Sequence, residues 1–289
     1  MTFTLFSLSF AVFYLLGWLF ACFFSPVVIR FVSDHNCRPN FQKKELPCGS
    51  GLLLLATVLA VAPVQAIWLT GLGYSWSVMS SYWLGFSLAS LAGWMDDAWG
   101  DQLDKGMAGH LKRLIVFKRL STGSVKVFLL GTAGLLAVWP LAQSWWEWAL
   151  GGMVAAAAAN GVNLLDTRPG RAIKFFFLAL FSLALSLSIV SGGNHLAAYM
   201  LLISSLLAAT AILLRLDLRL TSMMGDSGAN PLGFVLGLGS VIAWPPRGEA
   251  FLLMALLLLH VAGERYSLGQ LIEQIPPMSW LDRWGRSGS

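Results

Sequence analysis

The sequence predicts an all-α, polytopic integral membrane helix bundle. Three observations lead there. Of the 289 residues, 57% are hydrophobic and only 11% are charged, more apolar surface than a water-soluble fold of this length can hide. The apolar residues gather into nine runs, most of them near the roughly 20 residues that a helix needs to cross a bilayer. The basic residues are also one-sided: of 19 Lys and Arg, all but Arg247 fall in segments that nine crossings would place on the same side.

Taken in order, the first run covers 5–29. No Lys or Arg precedes it, and it is longer than the apolar core of a secretory leader, so it reads as a retained span. The next two, 50–70 and 78–95, are separated by a short Gly-containing turn, and the third stops at Asp96-Asp97. The fourth and fifth, 123–141 and 147–165, flank a Trp-rich connection. The sixth and seventh, 172–191 and 196–215, meet at Ser191–His195. The eighth and ninth, 228–244 and 249–263, are shorter and are divided by Pro245. The residues form a single membrane domain over 1–289, with 264–289 as a C-terminal tail.

By the positive-inside rule the basic side is cytoplasmic, which puts the N-terminus outside and the C-terminus inside. Trp76, Trp83, Trp139, Trp145, Trp146, Trp148 and Trp244 gather near the other face, as an aromatic belt does. The sequence pI near 9.3 therefore reports topology and anionic ligands, not nucleic acid. Cys37 and Cys48 fall in a loop on the reducing side, Cys22 falls in the first span, and no zinc-type spacing links them to His35.

The polar chemistry also collects on the basic side. Asp96 and Asp97, with Asp101 nearby, end the third run; adjacent carboxylates repel unless a cation sits near them, and such a pair suits Mg²⁺. Lys126 lies just inside the fourth run, after Ser121-Thr-Gly-Ser, where a snorkelling ammonium can meet a phosphate. Asn160, Asn163 and Asp166 recur every third residue, which places them on one helix stripe behind the small residues Ala155–Ala159. Arg168, Arg171 and Lys174 follow as a second basic cluster. Gly225-Asp226-Ser227-Gly228 opens the eighth run, where free amides at a helix start favour anions. Taken singly, each motif has a plain alternative: a solvated helix end, an interhelical hydrogen bond, a headgroup contact or an N-cap.

In combination and in this order, the Asp pair, the Lys after a Thr-Gly turn, the N-x-x-N-x-x-D stripe and the GDSG helix start resemble the polyprenyl-phosphate N-acetylhexosamine-1-phosphate transferase superfamily. That group includes the phospho-N-acetylmuramoyl-pentapeptide transferases and the UDP-GlcNAc:undecaprenyl-phosphate GlcNAc-1-phosphate transferases. The resemblance runs from about residue 30 to the C-terminus. It implies transfer of a sugar-1-phosphate from a UDP-linked amino sugar to a polyprenyl phosphate, with release of UMP, in synthesis of cell-envelope glycans such as peptidoglycan. It implies a Mg²⁺ requirement, with Mn²⁺ as a substitute, and a homodimer is common among such enzymes. Carried over, Asp226 and Asp97 resemble metal ligands. Asp96, Asp97, Lys126 and Asp166 resemble catalytic residues, with Asp97 the base, and Asn160, Asn163, Arg168, Arg171 and Ser227 the substrate contacts.

Two departures stand out. The second Asp that usually follows Asp166 is replaced by Pro169, and the cytoplasmic His-rich loop is missing. His260, Glu264 and Arg265, then the amphipathic stretch 267–275, stand in its approximate place. These departures leave the sugar open. They also sustain a second expectation, a diverged paralogue that binds polyprenyl phosphate or nucleotide without transferring sugar. A transporter or channel fits less well, because its polar groups would lie at mid-membrane rather than at one face.

Overall fold

The computed structural model describes residues 2–100, 121–191 and 193–286. Asp101, His110 and the basic cluster Lys105, Lys112, Arg113, Lys118 and Arg119 lie outside the described residues. The rest is all-α apart from one small hairpin. The helices are α1 (Phe3–His35), α2 (Leu52–Gly71), α3 (Trp76–Trp99), α4 (Thr122–Val138), α5 (Trp145–Asn163) and α6 (Arg171–Ser186), the last extended by a π-turn over Leu187–Ser191. They continue with α7 (Gly193–Leu218), α8 (Asp226–Ala243), α9 (Pro246–Arg265), α10 (Leu268–Gln274) and α11 (Pro276–Arg283).

Among the described residues, five helices are long and apolar enough to span a membrane: α1, α2, α6 with its extension, α7 and α9. The protein is a membrane protein on that ground. The other apolar runs also become helices, α3, α4, α5 and α8. They carry more Gly, Ser, Asn or Asp, or are shorter, and for α8 the packing explains why. A helix enclosed by other helices need not match the apolarity of lipid.

Helix α8 is the centre. Every residue from Ser227 to Ser240 is buried. Its largest contact is with α5, then with α3 and α6. Small residues let these backbones meet: a Cβ at Gly93 would fall 2.1 Å from the carbonyl oxygen of Asp226, so α3 touches the very start of α8. Helix α1 packs on α7 and α2 as a peripheral layer, with Phe3, Leu8, Leu15 and Phe23 exposed. In the predicted aromatic belt Trp76, Trp139, Trp145 and Trp146 are exposed, whereas Trp83 is buried in the core.

One segment read as a loop in the sequence has structure, and the tail is helical within the stretch 267–275 read as amphipathic and again beyond it. Residues 37–47 form an antiparallel hairpin of β1 (Cys37–Pro39) and β2 (Glu45–Pro47), with Arg38 opposite Leu46. Its turn is tied by Asn40 Oδ1, which accepts from the amides of Gln42 (2.8 Å) and Lys44 (2.9 Å). The tail after Arg265 contains α10 and α11.

Candidate functional site

The site is assembled from the ends of α3, α4, α5 and α8. Lys126 is the hub. It lies in the second turn of α4, where its buried side chain reaches the carboxylates of both Asp96 (3.2 Å to Oδ2) and Asp226. Asn163, in the last turn of α5, donates its side-chain amide to Asp226 Oδ2 at 3.0 Å. Two carboxylates, one ammonium and one amide from four helices therefore converge, although 30 to 100 residues separate Lys126 from its partners. The charged groups are partly buried, with Asp96 and Asp226 about a quarter accessible.

Asp97 does something different from its neighbour. Successive helix residues point about 100° apart, and Asp97 faces the start of α8. Its Oδ1 accepts from the Asp226 amide and its Oδ2 from the Ser227 amide, both at 2.9 Å. This carboxylate is thus the N-terminal cap of α8, supplied from another helix, where the unpaired amides and the helix dipole favour a negative charge. The Ser227 amide is consumed by Asp97, and the Ser227 hydroxyl turns back to the Met224 carbonyl at 3.3 Å. Neither is directed at an anion from outside.

The backbone before α8 is fixed with equal care. Gly225 has φ +73°, and a Cβ there would lie 2.6 Å from Asp97 Oδ2, so both conformation and space call for glycine. The hairpin segment supports the same turn from below. Met223 donates its amide to the Pro47 carbonyl at 2.7 Å, Ser50 Oγ donates to the Met223 carbonyl at 2.8 Å, and the Gly51 amide donates to the Met224 carbonyl at 2.9 Å. Arg38 closes the arrangement by donating to the Asp97 carbonyl at 2.7 Å. Cys48 sits beside Asp97, its Sγ 3.9 Å from Asp97 Oδ1, where burial and then the Asp97 charge push its thiol up.

Asp166 does not complete a helical stripe. α5 ends at Asn163, and 164–169 form turns, with the Asp166 amide bonding only three residues back, to the Asn163 carbonyl at 3.0 Å. Asp166 still lies close enough to feel the other acids. Desolvation, then the charges of Asp217, Asp226 and Asp97, hold its carboxyl well above the usual range, and the Gly225 amide opposes this only in part. Asn160 is half-buried one turn back from Asn163 and makes no side-chain hydrogen bond among the described residues.

Arg168 and Arg171 are not brought to the cluster. Arg168 pairs with Glu273 at 3.3 Å and stacks over Phe41, 4.7 Å from the ring centroid. Arg171 makes a bidentate pair with Asp282 of the tail, at 2.8 and 2.9 Å. Asn230 closes the helix-start motif and in the sequence reads only as a cap. It lies one turn into α8 from Asp226, fully buried, with neither amide atom hydrogen-bonded among the described residues. Its signal was an amide in an otherwise apolar run, masked by the capping role that Asn has near helix starts.

Among the described residues no three His, Cys, Asp or Glu side chains form a metal-binding group. The donor set still fits Mg²⁺. That ion commonly takes one or two carboxylates and leaves its other positions to water and substrate phosphates. Asp96 and Asp226 already converge on one positive charge, the Lys126 ammonium. In comparisons with known proteins, no family model and no curated relative matches the chain.

Proposed function

We propose that this protein transfers a sugar-1-phosphate, an N-acetylhexosamine-1-phosphate by preference, from a UDP-sugar to a polyprenyl phosphate. The observation that carries the reading is the convergence of Asp96, Lys126, Asn163 and Asp226 from four helices at one end of the bundle. In this reading all nine helical runs cross the cytoplasmic membrane, the N-terminus is outside, and the site opens to the cytoplasm.

The reaction joins two anions. A phosphate oxygen of the lipid forms a bond to the β-phosphorus of the UDP-sugar. The bond from that phosphorus to the bridging oxygen breaks, and UMP leaves with the electron pair. A phosphomonoester near neutral pH already carries much of its second charge, so no strong base is needed. The barrier is then mainly one of bringing like charges together, and positioning with charge neutralisation lowers it. Lys126 neutralises phosphate oxygens, and Asn163 orients Asp226. Mg²⁺, held by Asp96 and Asp226, would supply charge neutralisation and Lewis acidity at the diphosphate. This assigns the ligand role to Asp96 in place of Asp97, whose two oxygens are engaged by α8 amides.

The test is direct. Purified protein with Mg²⁺, undecaprenyl phosphate and a panel of UDP-sugars should release UMP and yield a lipid-pyrophosphate sugar, read by mass spectrometry. Asp226→Asn should abolish release while the protein remains folded, and full turnover by that variant overturns the assignment. A second reading, binding without transfer, is favoured by one observation: Arg168 and Arg171, which the resemblance assigns to substrate, are engaged by the tail. Donor binding without UMP release for every sugar tried would select it.

A further inference from the structure

The C-terminal tail is built the wrong way round for water. In α11 the buried residues are Ser279 and Asp282, three apart on one face, and the exposed ones include Met278 and Trp280. Trp280 is 66% exposed and Asp282 is 4% exposed. A helix on a soluble surface does the reverse, because charge seeks water and tryptophan leaves it. The polar face has a specific reason to turn inward. Asp282 takes two hydrogen bonds from Arg171 and a further one from Arg286. Lys174 donates to the carbonyls of Leu281 (3.1 Å), Asp282 (2.8 Å) and Trp284 (2.6 Å). Arg286 donates to the Pro169 carbonyl at 3.0 Å. These bonds fix the rotation of α11 and leave its apolar face pointing away from the protein.

The exposed face does not stand alone. Helix α9, which spans the membrane with almost none of its apolar stretch buried, presents Leu257, Leu258 and Val261 outward. Beyond the end of α9, Tyr266, Leu271, Ile275 and Trp280 are exposed as well. Arg265 and Arg283, which flank this segment in the chain, are exposed too. A spanning helix followed directly in the chain by a Trp-containing, Arg-flanked segment with exposed apolar residues matches the headgroup layer of an anionic leaflet.

We propose that α10 and α11 form a foot that lies in the headgroup region of an anionic bilayer, with Trp280 towards the acyl boundary and Asp282 clamped to the bundle. The foot thereby sets the position of the 164–170 turn that carries Asp166, independently of which reaction the site performs. The experiment uses the full chain with Cys22, Cys37 and Cys48 replaced by Ala, reconstituted in vesicles of phosphatidylglycerol and phosphatidylethanolamine. A nitroxide is placed at Trp280→Cys in one sample and at Gln274→Cys in another. At residue 280 relaxation by oxygen should exceed relaxation by a water-soluble nickel chelate, and at residue 274 the order should reverse. Preference for the nickel chelate at residue 280 overturns the proposal, because the face is then in water. Protection of residue 280 from both reagents also overturns it, because protein then covers the face. A second measurement needs no label. Brominated lipids should quench tryptophan emission less in Trp280→Phe/Trp284→Phe than in the parent, and equal quenching counts against the foot.

Discussion

Replacing Asp97 should cost stability before it costs chemistry. Its two carboxylate oxygens each accept one amide from the first turn of α8, both at 2.9 Å. A hydrogen bond to a charged group contributes about 1.5–3 kcal/mol, and a buried amide left without a partner costs about 1–3 kcal/mol. Asp97→Ala removes both acceptors, so the expected loss is roughly 2–6 kcal/mol, a large part of the ~5–15 kcal/mol that typically holds a folded protein. Asp97→Asn keeps one acceptor and sets an NH₂ against the other amide, and its loss should fall near the low end of that range. The assay is reversible unfolding in mixed micelles, followed by circular dichroism, with Asp96→Asn as the comparison. Asp96 is partly accessible and its carboxylate makes no backbone hydrogen bond among the described residues, so its replacement should leave stability nearly unchanged. If Asp97→Asn unfolds with the same free energy as the parent yet is inactive, the capping argument fails and Asp97 returns to the role of metal ligand or base.

Three further outcomes are expected. Lys126→Met leaves Asp96 and Asp226 facing each other without a cation, so it should lose roughly 1–5 kcal/mol in chelator and be stabilised by added Mg²⁺ more than the parent is; a thermal-shift titration that shows no Mg²⁺ effect in the variant refutes the shared cation site. Gly225→Ala must hold a side chain at φ +73° and within 2.6 Å of Asp97 Oδ2, and should unfold about 1–3 kcal/mol more easily; parent-like stability contradicts the tight turn. Burial pushes the Asp282 carboxyl up, but the hydrogen bonds from Arg171 and Arg286 outweigh it and hold it below the ordinary carboxylate range. A depressed folded pKa means that the tail clamp is fully formed above about pH 4 and is lost as the pH falls further towards the folded pKa. Hydrogen exchange of residues 276–286, corrected for intrinsic rate, should therefore be flat from neutral to mildly acidic pH and rise only below that; an Asp282→Asn variant should already exchange fast at neutral pH.

Much of the architecture is legible in the residues because lipid imposes a simple rule: a crossing segment must be apolar and long. All nine apolar runs are helices. The small residues of α5 and α8 announce close packing, and these two helices make the most extensive contact in the bundle. The hairpin at 37–47 was hidden because three-residue strands carry no periodicity and Lys43 sits at φ +61°, a backbone state that sequence pattern does not advertise for Lys. The end of α5 at Asn163 was equally hidden. Spacing alone continues the stripe to Asp166, while the backbone tightens into turns after Asn163.

The candidate site divides along the same line. The order of residues sufficed to put acids, a lysine and amides at helix ends on one side of the bundle, because charge is excluded from the lipid core and must collect where helices stop. Which of two neighbouring aspartates faces the cluster was undecided by order, since both sit at the same depth and differ only in direction around α3. Contact between α3 and the first turn of α8 made that choice: Asp97 is drawn to free amides, and Asp96 is left to Lys126. Likewise Arg168 and Arg171 adjoin Asp166 in the chain, yet the folded tail takes their charge. Direction and competition for partners exist only once helices pack, because they depend on atoms that the chain brings together from far away.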